Sequence, residues 1–177
     1  VYRAAYRWLL RIHLDGARRF ADKTPRHCFI IDFLAETFPD ARLIFIVRDG
    51  RDAALSYSEQ PWLQAAHAGT ERREPGGYPF GPYPRFWVEP DRRAEFGRTT
   101  DLHRCIWAWR RHSEAALRQL SALPGDRVLR IRYEELVTTP EAEARRVLDF
   151  LGIDRPASRS AFLTAAAGAH DASVGRW

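Results

Sequence analysis

Methionine is absent from this chain of 177 residues. Val1 is therefore not expected to be a translation start, and the sequence is expected to be a fragment, a processed product or an excised domain, with any targeting signal upstream. Cysteine is nearly absent as well. Cys28 and Cys105 stand alone without C-x-x-C spacing, which excludes a disulfide framework and a zinc cluster as organising features. No apolar run approaches the 18 residues of a membrane-spanning helix. No block of five like charges occurs, so a dedicated nucleic-acid tail is excluded. Lysine is the last scarcity: Lys23 is alone among 28 basic side chains, the others being arginine.

What is present describes a globular domain. Hydrophobic residues make up 45% and charged residues 29%, so the chain can bury a core and is not a disordered tail. At this length roughly two-thirds of the unfolded surface can be buried, in one domain spanning residues 1–177. The formal net charge of +5 points to an anionic partner. The expected setting is cytoplasmic, and the oligomeric state is left open.

Apolar spacing predicts an amphipathic helix over residues 1–20, through Ala5, Leu9, Ile12 and Phe20. Thr24 and Pro25 then suit an N-cap and first turn, predicting a helix over 25–37 that Phe38-Pro39-Asp40 stops. Leu43-Ile44-Phe45-Ile46-Val47 is an unbroken β-favouring run, expected of a strand covered on both faces. Asp49-Gly50 turns the chain into a further helix over 51–58. Residues 60–98 hold six prolines and five glycines, the mark of a functional or flexible loop. A helix follows over 101–120, with Leu102, Ile106, Trp109, Ser113, Ala116 and Leu120 on its inner stripe. A strand over 128–133 and a helix from Pro140 to Leu151, closed by Gly152, complete the pattern. Strands alternating with helices imply an α/β fold with part of a parallel sheet flanked by helices.

The most informative stretch is Val47-Arg48-Asp49-Gly50-Arg51-Asp52-Ala53-Ala54-Leu55-Ser56. It puts a guanidinium at the carboxyl end of a strand, where α/β proteins bind ligands. A helix N-terminus follows, with free amides and a positive dipole end. Arg48 and Ser56 could grip one dianionic group; the alternative is Arg48 paired with Asp49 or Asp52.

Lys23-Thr24-Pro25, Phe38-Pro39-Asp40-Ala41, the strand, Arg48-Asp49-Gly50-Arg51-Asp52 and Ser56 together resemble the sulfotransferases that use 3'-phosphoadenosine 5'-phosphosulfate (PAPS). The resemblance continues through Arg132-Tyr133-Glu134-Glu135-Leu136, Pro140, Val147-Leu148-Asp149-Phe150-Leu151-Gly152 and Gly175-Arg176-Trp177. The Arg-Asp-Gly-Arg form is most similar to bacterial and protein-tyrosine members. The resemblance implies a fold of the P-loop nucleotide-enzyme type and transfer of a sulfonyl group from PAPS to an acceptor hydroxyl or amine, without a metal. Arg48 and Ser56 match the residues that bind the 3'-phosphate. Tyr133 matches the residue on the adenine, with a core-edge aromatic as its alternative. Lys23 matches the catalytic lysine, where an ammonium would stabilise charge developing on the leaving oxygen; a solvated loop lysine is the alternative. Ser173, Gly175 and Arg176 fall where a cofactor-binding loop is expected.

Departures from the family pattern are equally specific. No G-x-x-x-x-G-K-[ST] or comparable phosphate loop occurs, so the phosphosulfate-binding strand–loop–helix is expected to lie before Val1. The C-terminus is expected to be cut too, and the isolated chain is expected to be inactive. No general base is identified. His27 reads as a helix-start histidine, while His103 and His112 line an acceptor pocket or occupy a solvated helix face. The aromatic, proline-stiffened residues 76–87 suit an acceptor lid over a small-molecule or peptide acceptor, beside the 101–120 helix, or else a flexible surface loop. Two other functions fit less well: a non-catalytic nucleotide or polyanion-binding module, and a kinase-like relative, disfavoured for want of a metal-holding motif.

Overall fold

A computed structural model describes residues 3–5, 8, 21–154, 156–167, 174 and 175. The expected helix over 1–20 falls almost wholly outside the described residues, as do Ser173 and Arg176. The remainder is a mixed fold, with a small parallel sheet and helices packed around one long helix.

Strand β1 (Leu43–Val47) pairs with β2 (Val128–Arg132) in parallel, Leu43 opposite Val128 and Val47 opposite Arg132. Alternation along β1 sends Leu43 and Phe45 toward the core. Ile44 and Ile46 are 38% and 50% exposed, so the expectation of cover on both faces fails. Tyr133 does not extend β2; it opens a short helix.

Seven helices are described. Helix α1 (Ile31–Thr37) is preceded by a separate 3-10 turn over Pro25–Phe29. The single helix expected over 25–37 is broken at Ile30, where φ is −133° and ψ 24°. Thr24 does not cap it with its side chain, because its hydroxyl donates to Asp22 Oδ1 at 3.3 Å. Helices α2 (Gly50–Ser58) and α4 (Asp101–Leu120) lie within a residue of expectation. Between them, α3 (Arg93–Arg98) was not foreseen. After β2 come α5 (Tyr133–Thr138), α6 (Pro140–Leu151) and α7 (Pro156–Ala167). Gly152 ends α6 in the left-handed conformation, at φ 59° and ψ 49°, which an L side chain adopts at a cost. Among the described residues, no helix is long and apolar enough to cross a membrane.

Helix α4 is the spine. Its C-terminal half buries Ala116 and Leu120 against Ile31, with Leu43, Phe45 and Val128 beside them. Its N-terminal half buries Cys105, Trp107 and Ala108 with Ala54, Leu63, Trp87, Val88 and Phe96. Of the expected inner stripe, Ala116 and Leu120 are buried and Ile106 packs on the core, whereas Leu102 is 46% exposed. The reason is that α4 is covered from two sides, so its N-terminal half presents Arg104 and Trp107 to the 60–98 segment as well.

That segment is tied down by hydrogen bonds from buried side chains. Arg85, only 2% exposed, holds it together. Its guanidinium donates to Glu74 Oε1 at 3.0 Å and to the carbonyls of Tyr83, Trp62 and Pro79 at 2.5, 2.9 and 3.0 Å. Arg26 reaches the same Glu74 oxygen at 3.1 Å, and both arginines lie 5.3 Å from the Tyr78 ring centroid. Five N–H donors in a fixed fork serve several carbonyls at once, which an ammonium could not do.

Candidate functional site

Parallel register builds the centre of the site. Because Val47 faces Arg132, the next residues, Arg48 and Tyr133, leave the sheet side by side. The Arg48 guanidinium carbon lies 4.8 Å from the Tyr133 ring centroid. Such stacking engages the face of the guanidinium, whose donors lie in its plane. The Arg48 carbonyl accepts from Trp109 Nε1 on α4 at 3.0 Å. Gly50 lies flat on the same indole: a Cβ there would approach the Trp109 ring to 2.8 Å. Glycine is thus required at the turn by close approach rather than by its backbone angles.

The turn into α2 is fixed from two directions. Asp49 is the N-cap, with Oδ1 accepting from the Arg51 amide at 2.8 Å. The Arg51 side chain folds back onto the same carboxylate at 3.0 and 2.7 Å. Those hydrogen bonds hold the Asp49 carboxyl down to about 2. The Asp49 partner proposed for Arg48 is thus engaged by Arg51. The Asp49 amide donates to Glu134 Oε1 at 2.7 Å, tying the turn to the start of α5.

Helix α2 carries the next components. Asp52, 2% exposed, accepts at Oδ2 from the Gly175 amide at 2.7 Å. Gly175, 123 residues further along the chain, is thereby drawn to the first turn of α2. Ser56 lies one turn beyond Asp52 on the same helix face and is half-buried. Arg48, Tyr133, the α2 N-terminus and Gly175 are therefore gathered at the carboxyl ends of the two strands.

Lys23 is placed differently. It is exposed, ahead of the 25–29 turn, and no described contact joins it to Arg48 or Tyr133. His27 lies 3.7 Å from Asp22 and its amide donates to the Thr24 carbonyl at 3.0 Å, the helix-start role expected of it. The turn is anchored to α4: Gln119 Nε2 donates to the Cys28 carbonyl at 2.7 Å, and Gln119 Oε1 accepts from the Asp32 amide at 3.1 Å.

Of the two α4 histidines, His103 is exposed and bonded to Thr99 Oγ1 at 2.9 Å. His112 is half-buried between aromatic rings, with Phe29 at 4.8 Å and Trp87 at 5.6 Å. Phe86, 50% exposed, meets Phe29 edge-on at 4.9 Å. Sequence reasoning missed three supporting residues: Glu134, Trp109 as a ligand of the Arg48 carbonyl, and Asp52 as the anchor of Gly175. Only the acidic residues inside the two motifs hinted at them.

Comparison with known proteins gives the family. The sulfotransferase family matches residues 1–73 and 88–157, and the chain belongs to that family. The match passes over 74–87, the segment built on Glu74, Tyr78 and Arg85. Among individual relatives, the protein-tyrosine sulfotransferase A of Caenorhabditis elegans is 24% identical over 141 residues, covering 80% of this chain and 29% of the relative. The protein-tyrosine sulfotransferase of Drosophila melanogaster is 25% identical over 141 residues, covering 80% of this chain and 22% of the relative. The chain thus spans between a fifth and a third of the length of these relatives. No solved structure matches it.

Proposed function

We propose that this chain is the 3'-phosphate-binding and acceptor-facing part of a sulfotransferase domain of the P-loop nucleotide-enzyme type. In the reaction proposed, a sulfonyl group passes from PAPS to an acceptor hydroxyl or amine of a small molecule or peptide. The observation that carries the reading is the stacking of Arg48 on Tyr133 beside the N-terminus of α2. Arg48 and Ser56 hold the 3'-phosphate, by charge-assisted fork and hydroxyl. Tyr133 lies against adenine. Gly175, whose amide is held by Asp52 on α2, is assigned with Ser173 and Arg176 to the cofactor-binding segment. Lys23 stabilises negative charge as the bridging oxygen leaves sulfur.

The groups present suit a dianion. A guanidinium at a strand end and a nine-residue helix directed N-terminus first at the same place both favour phosphate. The one carboxylate in the first turn of α2, Asp52, is engaged by the Gly175 amide.

Calorimetric titration with adenosine 3',5'-bisphosphate, with adenosine 5'-monophosphate as control, tests the reading. The bisphosphate is expected to bind at least tenfold more tightly, and Arg48→Ala to remove that preference. Equal binding of both nucleotides, unchanged in the variant and steeply salt-dependent, would replace this reading with a polyanion-binding module.

A further inference from the structure

We propose that His112 is the general base that takes the acceptor's proton, an inference that rests on the sulfotransferase reading. The argument begins with a tautomer. His112 Nδ1 lies 2.7 Å from the Ala108 carbonyl, one turn earlier on α4. A carbonyl only accepts, so Nδ1 must carry the hydrogen, and in the neutral ring the lone pair is on Nε2. A ring anchored at one nitrogen and basic at the other is the arrangement a general base requires.

Its surroundings keep the ring neutral and form an aromatic wall that reaches the surface at Phe86. Phe29 and Trp87 pack on the imidazole, and the exposed Phe86 extends the same aromatic wall outward. Two of these rings, Phe86 and Trp87, come from the segment that the family match passes over. Burial, with Arg26 as the facing charge from the 25–29 turn, holds His112 below the ordinary imidazole value of 6.5. Phe29 and Trp87, from the other packed elements, bear no charge. Arg111, the next residue on α4, is committed to the Trp87 carbonyl, Glu89 and Glu114.

Position links this aromatic wall to both halves of the site. Trp109, one turn before His112, holds the Arg48 carbonyl. Phe29 and Arg26 belong to the turn that Lys23 leads into. In the proposed step the acceptor O–H proton passes to Nε2 as its oxygen bonds to sulfur. The bond from sulfur to the bridging phosphate oxygen breaks, its electron pair leaving with the nucleotide. The imidazolium then releases its proton to water.

The turnover test uses the full-length protein that carries this chain, with PAPS and a series of phenols of graded acidity as acceptor probes. His112→Gln is expected to lower kcat/KM about 10²- to 10⁴-fold for the least acidic phenol. The loss should shrink steadily as the phenol becomes more acidic, and the acid limb of the pH profile should disappear. Affinity for adenosine 3',5'-bisphosphate should be unchanged. An equal loss across the series, or none, would overturn the assignment. Imidazole nitrogen NMR of the unmodified chain gives a readout that needs neither turnover nor a folded variant. His112 is expected as the Nδ1–H tautomer at pH 7, with an Nε2 resonance that moves when a phenol is added to the bisphosphate-bound chain. The opposite tautomer or an unmoved resonance would overturn the role of His112 while the nucleotide site stands. Failure to bind the bisphosphate, in wild type and variant alike, would instead overturn the sulfotransferase reading and this step with it.

Discussion

Replacing Arg85 with alanine tests whether the 60–98 segment is a structural wall or an appendage. The guanidinium is 2% exposed and makes four hydrogen bonds, one to the carboxylate of Glu74 and three to backbone carbonyls. Its removal takes this donor from the Tyr83 and Pro79 carbonyls, each at about 1–3 kcal/mol, while the Trp62 carbonyl keeps the Gly81 amide, and it breaks a buried ion pair, about 3–5 kcal/mol. Arg26 remains on Glu74 at 3.1 Å, so the pair's loss is partly offset and these figures do not simply add. A total of about 3–5 kcal/mol is expected, against the 5–15 kcal/mol typical of whole domains. For a chain of this size that lowers Tm by roughly 6–20 °C. Arg85→Lys should recover little of it, because one ammonium cannot span four acceptors in the plane of the fork. Urea denaturation followed by tryptophan fluorescence gives the comparison directly, since Trp62 and Trp87 lie in the affected segment. A loss below about 1 kcal/mol would refute the reasoning and return the segment to the status of a detachable loop.

Asp49→Ala removes the N-cap of α2 and should cost about 1 kcal/mol at pH 7. Because the folded carboxyl is held near 2, its contribution is full above the ordinary value of 3.8 and is lost as pH falls toward 2. The gap between wild type and variant in thermal melts should therefore close over that window. Burial pushes the thiols of Cys28 and Cys105 up to about 12. At pH 8 only about one part in ten thousand of each is thiolate, so alkylation should run over a hundredfold slower than for a free thiol until denaturant is added. Reaction of both at the free-thiol rate in native buffer would contradict their burial.

Local chemistry was legible wherever the residues decide it. The five-residue apolar run made a strand, Asp49-Gly50 made a turn and a cap, and Pro140 with Gly152 framed α6. The strand end bearing Arg48 was found as a candidate because its residue type and position suffice, whereas Tyr133 came from the family resemblance. What stayed hidden depends on partners distant in sequence. Nothing in Leu102 or Trp107 says which side of α4 is covered twice. Thr24 suits an N-cap, yet its hydroxyl chose Asp22, two residues away. Arg85 is one arginine among many until four acceptors converge on it. Asp52 and Gly175 illustrate the same limit within the site, since their bond joins residues 123 apart in the chain.

The parallel pairing of β1 and β2 has a consequence in time. Parallel neighbours need a crossover, and here it contains α2, the proline-rich segment and all of α4. Closing so long a loop precedes any gain from pairing, and non-local topology of this kind folds slowly. During synthesis at ~5–20 residues per second, β2 would leave the ribosome on the order of ten seconds after β1. Arg48 then exists without Tyr133, and the guanidinium–ring contact cannot form until the intervening chain has collapsed. A nucleotide that needs both residues cannot guide the early chain. It can only retain the finished one, acting on the rate of unfolding rather than on the rate of folding.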